Sequence, residues 1–183
     1  SGSLGRLDVI LRPYYERDTA AGILDDQEAM FHLACLFVRD TAYIQLGGPD
    51  ETGADATNRL SYLSLEAAHA LKIPVNIGVC VGKNVDPKLL ERSVEILLED
   101  RRGIPKFLGI DNTVQGFTRN GVPLEDARTR AYSGCHWSAI PGREYTINDC
   151  TKVNLARVFE VAFWELVDSG EEPSVRELWQ AFE

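Results

Sequence analysis

The chain is short of everything that marks a nucleic-acid or membrane protein. Its 19 Lys and Arg are outnumbered by 28 Asp and Glu, a formal net charge of -9. No basic stripe with interleaved aromatics offsets that balance, so neither a phosphate backbone nor an anionic membrane is an expected partner. No apolar run approaches the ~20 residues needed to cross a bilayer. No secretory leader is recognisable, and a cytoplasmic location is expected. The 4 cysteines include no Cys-x-x-Cys pair, which argues against a structural zinc site. His32 and His69 stand on helical stretches without ligand-spaced partners and read as surface or satisfied core groups. Cys35, on a helical apolar face, and Cys80, in a strand-like run, read as buried free thiols of a reducing compartment. Repeats and low-complexity stretches are absent.

What is present is an alternation of helix and strand over 183 residues, enough for one domain or part of a larger one. Leu7, Ile10, Leu11 and Tyr14 recur at helical spacing. Asp25 with Glu28 forms a capping-box pattern ahead of a stripe of Met30, Leu33, Ala34, Phe37 and Val38. A Gly-Gly-Pro turn at Gly47 precedes a helix carrying Leu60, Leu63, Ala67 and Leu71. Val75, Ile77, Val79 and Val81 alternate as a strand. Asp86-Pro87 opens the next helix, Lys106 to Gly109 reads as a second strand, and helix signals return from Leu124 to Arg130. Asn148 or Asp149 is expected to start a long helix ending near Val167. Ser174 with Glu177 opens a short terminal helix. Strand, helix, strand in that order favours parallel pairing and an α/β architecture, with the helix after Asp86 crossing between the two strands.

The functional signal is the run Tyr132-Ser133-Gly134-Cys135-His136-Trp137-Ser138-Ala139-Ile140-Pro141-Gly142-Arg143-Glu144-Tyr145. A glycine leaves the thiol uncrowded and a Pro-Gly pair breaks the chain soon after, so the sulfur is expected on a tight loop. This run resembles the thiyl-cysteine loop of the glycyl radical enzymes, the pyruvate formate-lyase-like family. Other segments match the same family in order: Gly5-Arg6-Leu7-Asp8 with Pro13-Tyr14-Tyr15, Gly53 to Ala67, Pro87 to Leu90, Gly103 to Phe107, and Gly121 to Arg128.

The resemblance implies a partial segment of the family's ten-stranded α/β barrel, residues 1–183 supplying a central part of the barrel domain. It implies a lyase in which a thiyl radical on Cys135 abstracts hydrogen from a small organic substrate in anaerobic metabolism. No cofactor would be bound during turnover. The organic radical would be stored on a glycine outside this chain, installed by a radical-SAM activase. The family's C-terminal Arg-Val-x-Gly-Tyr-like segment is absent here. The chain is therefore expected to be inactive by itself, and to need the remainder of the barrel or a partner chain.

One position departs from the family. Eliminase members carry a Glu base two residues after the cysteine, and here that residue is Trp137, whose indole only donates. The departure favours C–C cleavage or radical addition over elimination. Trp137 is either core packing or an apolar wall for substrate. His136 is either the base that Trp137 cannot be or a histidine hydrogen-bonded into the loop's backing, the second being favoured. Glu144 is expected to brace the loop. Asp111 and Asn112, an Asn-Asp pair in reversed order, either close a turn or line the pocket, with the turn favoured. Two other readings stand beside the radical lyase. One is a structural remnant of the same fold; the other is a thiol enzyme with Cys135 as nucleophile and His136 as base.

Overall fold

The computed structural model describes residues 3–133, 137–144, 153–169 and 174–182. The chain divides into two compact units, Ser1–Thr146 and Ile147–Glu183.

The first unit is built on a four-stranded sheet in the order β1 (Ser3–Gly5), β2 (Tyr43–Leu46), β3 (Ile77–Val81), β4 (Lys106–Gly109). Every pair is parallel. Between the strands run α1 (Leu7–Ala20), α2 (Asp26–Arg39), α3 (Arg59–Leu71) and α4 (Pro87–Asp100), followed after β4 by α5 (Ile110–Arg119) and α6 (Leu124–Thr129). Strand order follows chain order without reversal, as the wall of an α/β barrel requires. β3 and β4 pair in parallel with α4 between them, as their order in the sequence predicts.

Local chemistry sets the helix ends. Asp25 and Glu28 complete their capping box at 2.9 and 3.1 Å, and Asp86 accepts from Lys88 N–H at 3.0 Å ahead of Pro87. Such caps are worth about 1 kcal/mol each. Asn58 and Ser61 form a third box at the head of α3. Arg92 of α4 grips Glu66 of α3 with two hydrogen bonds of 2.6 and 3.0 Å. His69 reaches Asp100 and Glu99 at 3.1 and 3.3 Å, which joins α3 to the end of α4.

The sheet has two differently used faces, because side chains alternate along a strand. Ile44, Leu46, Ile77 and Val79 point into a core with Phe37, Leu65 and Leu89 of the helices. The other face carries Gln45 and Cys80, 1% and 0% exposed. There Cys80 and Leu108 pack with Ile110 and Tyr132.

A buried polar node sits at the head of α1. Asp8 accepts from Gly47 N–H at 2.7 Å, Ser61 Oγ at 2.5 Å and Val9 N–H at 2.9 Å. Burial pushes its carboxyl above the ordinary range, against the opposing pull of those hydrogen bonds and of Arg6. Arg6 donates to the carbonyls of Gly47 and Gly48 at 3.5 and 3.3 Å.

The second unit is a helical pair, α7 (Leu155–Asp168) and α8 (Val175–Phe182). Phe182 meets Phe159 edge-on and stacks on Trp179. Asn154 caps α7, accepting from Arg157 N–H. The helix therefore starts later than Asn148 or Asp149, which lie outside the described residues. Ser174 and Glu177 form the expected box.

Three expectations are corrected. β3 begins at Ile77, since Val75, though buried, accepts from Ile77 N–H at 2.9 Å in a tight local turn. Cys35 is exposed, and so is Val38, because the apolar stripe of α2 is wider than the part the sheet covers. Strands β1 and β2 carry no expected strand signal.

Two outcomes follow. Asp8→Ala leaves the Gly47 amide and Ser61 hydroxyl unpaired in the core, so it should cost about 2–3 kcal/mol. The thermal midpoint should then fall by about 5–10 °C in a chain of this size. Second, Ile10, Tyr14, Phe31, Trp164 and Trp179 are exposed, and β1 and β4 are sheet edges. The chain expressed alone should associate in sedimentation; a monomer with a cooperative thermal transition is the contrary result.

Candidate active site

After α6 the chain forms an antiparallel hairpin of β5 (Ala131–Ser133) and β6 (Trp137–Ala139), with Ser133 opposite Trp137 and Tyr132 opposite Ser138. Cys135 and His136 lie outside the described residues, as does Cys150; in sequence the paired residues Ser133 and Trp137 bracket the first two. The hairpin itself was not legible in the sequence, which indicates only a loop.

Side chains from distant parts of the sheet hold β5 in place. Tyr132 N–H donates to Gln45 Oε1 at 3.0 Å, and Ser3 Oγ donates to the carbonyls of Tyr132 and Tyr43 at 3.0 and 3.1 Å. The Tyr132 hydroxyl meets Thr113 Oγ1 of α5 at 2.9 Å. Burial pushes its phenol above the ordinary value, so it is neutral at physiological pH. Arg130 lies 3.9 Å over the ring of Phe117, also on α5. Apart from Tyr132, which opens the functional run, the contacts of these residues escaped the sequence reading. The one signal for them is Gln45, an amide inside an otherwise apolar run ahead of Gly47-Gly48.

The return strand is braced by Glu144. Its carboxylate pairs with Arg130 through Nη2, with a second contact to Nη1 at 3.2 Å, and accepts from Ile140 N–H at 3.1 Å. Glu144 thus closes the base of the hairpin, as its place after Pro141-Gly142 predicts. Trp137 is half-buried on β6 and belongs to neither core cluster.

Asp111 differs from expectation. It sits in the first turn of α5, not in a loop, and accepts from Lys83 N–H at 3.0 Å. That bond ties together the segments leaving β3 and β4. Asp111 also lines a cleft of about 260 Å³ with Pro49, Lys83, Asn84, Leu124 and Arg128. The cleft opens at the carboxyl ends of parallel strands, where α/β sheets commonly bind ligands.

Cys80 is fully buried, and burial raises its thiol well above the ordinary range. It is protonated and inert as a nucleophile. His69 is engaged by two carboxylates and His32 is exposed. Among the described residues no group of three or more His, Cys, Asp or Glu is placed to hold a metal ion. No described helix is long and apolar enough to cross a membrane.

Against this geometry stand the comparisons with known proteins. Trans-4-hydroxy-L-proline dehydratase of Clostridioides difficile is 33% identical over 162 residues, covering 76% of this chain and 20% of the relative. Isethionate sulfite-lyase of Nitratidesulfovibrio vulgaris is 25% identical over 183 residues, covering 88% of this chain and 22% of the relative. The glycerol-bound B12-independent glycerol dehydratase of Clostridium butyricum superimposes with a TM-score of 0.77 at 25% identity, over 98% of this chain and 26% of that one. The chain therefore spans about a fifth to a quarter of the length of these proteins. Its parallel sheet corresponds to part of a glycyl radical enzyme barrel. A family model described as pyruvate formate lyase-like matches residues 1–176, and the chain belongs to that family of glycyl radical enzymes.

Proposed function

We propose that this chain is the thiyl-cysteine segment of a glycyl radical lyase, with Cys135 as the hydrogen-abstracting residue. The observation that carries the reading is the family match across residues 1–176, which takes in Gly134-Cys135 between the paired residues Ser133 and Trp137.

The chemistry balances within one residue and one substrate. A sulfur-centred radical on Cys135 takes a hydrogen atom from a substrate C–H bond, leaving an S–H bond and a carbon-centred radical. After the substrate radical rearranges, the S–H bond returns its hydrogen atom to the product radical and the thiyl is restored. The radical's resting place is a glycine in a part of the protein outside this chain, and a radical-SAM activase installs it there. The remaining partners are a small-molecule substrate and the rest of the barrel, in an anaerobic cytoplasm.

Trp137 narrows the reaction. Expelling hydroxide or an amine needs a proton donor and acceptor near the leaving group, and an indole accepts none. Its half-buried ring, outside both core clusters, suits an apolar or planar substrate wall. C–C cleavage or radical addition is therefore favoured over the water loss named for the dehydratase relatives. His136 is placed next to this wall in sequence and is the second substrate-contacting residue of the reading.

In the activated full-length protein, Cys135→Ser should abolish turnover and leave the glycyl radical signal intact in electron paramagnetic resonance, since a serine O–H bond is too strong to relay the hydrogen. Trp137→Ala should raise KM by about tenfold, equivalent to ~1.4 kcal/mol, with the radical yield unchanged. Cys35→Ser, on the exposed face of α2, should be silent. Water loss from glycerol or trans-4-hydroxy-L-proline at rates typical of a dehydratase would contradict the assignment of Trp137, and a turning-over Cys135→Ser variant would contradict that of Cys135.

A further inference from the structure

Gln45 is among the largest fully buried side chains of the protein, at 1% exposure. A primary amide is costly to bury unless it is hydrogen-bonded. Its neighbours Ile44 and Leu46 point into the helix-covered core, so alternation along β2 sends Gln45 to the opposite face, where β5 lies. The Tyr132 backbone N–H only donates, so the amide oxygen must face it, and the bond is 3.0 Å. The amide nitrogen is thereby turned away from β5, toward the side where Gly48 and the buried Cys80 lie. The sense of the amide is fixed by the Tyr132 donor.

Gly48 makes the arrangement sterically feasible. It holds φ at +89°, and a Cβ there would lie 2.8 Å from Cys80 Sγ and 3.6 Å from Gln45 Nε2. Nothing larger than glycine fits beside the pair. Tyr132 is gripped on its other polar group as well, its carbonyl accepting from Ser3 Oγ. A hairpin ladder of 3 paired positions is too short to fix its own depth and register against a sheet. Two side chains from β1 and β2 do so, acting on a single residue of β5.

We infer that Gln45 is a positioning residue for the Cys135 loop: its buried amide oxygen, bonded to the Tyr132 backbone N–H, sets the depth at which β5 leads into that loop. The inference rests on the reading of Cys135 as the radical relay. Hydrogen transfer demands close approach of the two reacting atoms, and a displacement of about 1 Å can cost on the order of 10²-fold in rate. Tyr132 precedes Cys135 by only 3 residues in the sequence.

The test needs no substrate, because heavy water serves as the probe. The radical glycine retains one α-hydrogen, which splits its resonance into a doublet. In D2O the Cys135 thiol becomes S–D and gives deuterium to the glycyl carbon; the thiyl then takes either hydrogen isotope back. When it removes the protium, the α-position holds deuterium and the doublet collapses to a singlet.

In the activated full-length protein the wild type should collapse. Gln45→Met, matched in size but without the amide, should collapse at least 10-fold more slowly, with the initial radical yield close to wild type. Gln45→Glu, which keeps an oxygen for the Tyr132 N–H, should recover most of the rate. A Gln45→Met rate within twofold of wild type overturns the proposal, as does a Gln45→Glu variant as slow as Gln45→Met. So does a Gln45→Met variant in which radical yield and thermal midpoint fall together, since that marks a purely structural role. Cys135→Ser separates the two readings. If its doublet persists, the relay stands and the Gln45 result judges Gln45 alone. If it still collapses, the assignment of Cys135 fails.

Discussion

The carboxylate of Asp8 is the constraint on which the first unit depends. One oxygen takes hydrogen bonds from Gly47, just beyond β2, and from Ser61, in the first turn of α3. The end of one strand, the start of the next helix and the head of α1 thus meet at a single buried group. Arg6 completes the node through the carbonyls of Gly47 and Gly48. Gln45 is two residues upstream of Gly47, and its place is set by the same node.

From there the constraint passes to the β5–β6 hairpin. The sheet gives one face to the helices and leaves the other to Gln45, Cys80 and Leu108. The β5–β6 hairpin is held against that second face by side-chain bonds from β1 and β2 and against α5 by Tyr132 and Arg130. Glu144 closes its base. A hairpin held this way takes its position from the sheet and α5.

What the sequence disclosed was the part governed by near neighbours. Asp25 with Glu28, Asp86 with Pro87 and Ser174 with Glu177 are caps made within three residues, and each lies where its pattern places it. The parallel pairing of β3 and β4 follows from strand-helix-strand order alone. The hidden part is governed by distance along the chain. β1 and β2 are three and four residues long, too short for a period, and Gln45 interrupts the apolar pattern of β2 for the sake of Tyr132, 87 residues away. Val38 and Cys35 continue the helical stripe of α2 yet face outward, in a chain that spans about a fifth to a quarter of its relatives. Periodicity reports what a helix has to bury, not which neighbour covers it.

The central claim is that the hairpin flanking Cys135 is fixed to the sheet as firmly as a strand of the core. Amide hydrogen exchange in the intact protein measures this directly, by comparing Tyr132 with Val79 at the centre of β3. The account predicts that the Tyr132 amide, bonded to a buried acceptor, exchanges on the slow scale of Val79. Exchange of Tyr132 as fast as that of exposed backbone, with Val79 still protected, would contradict it.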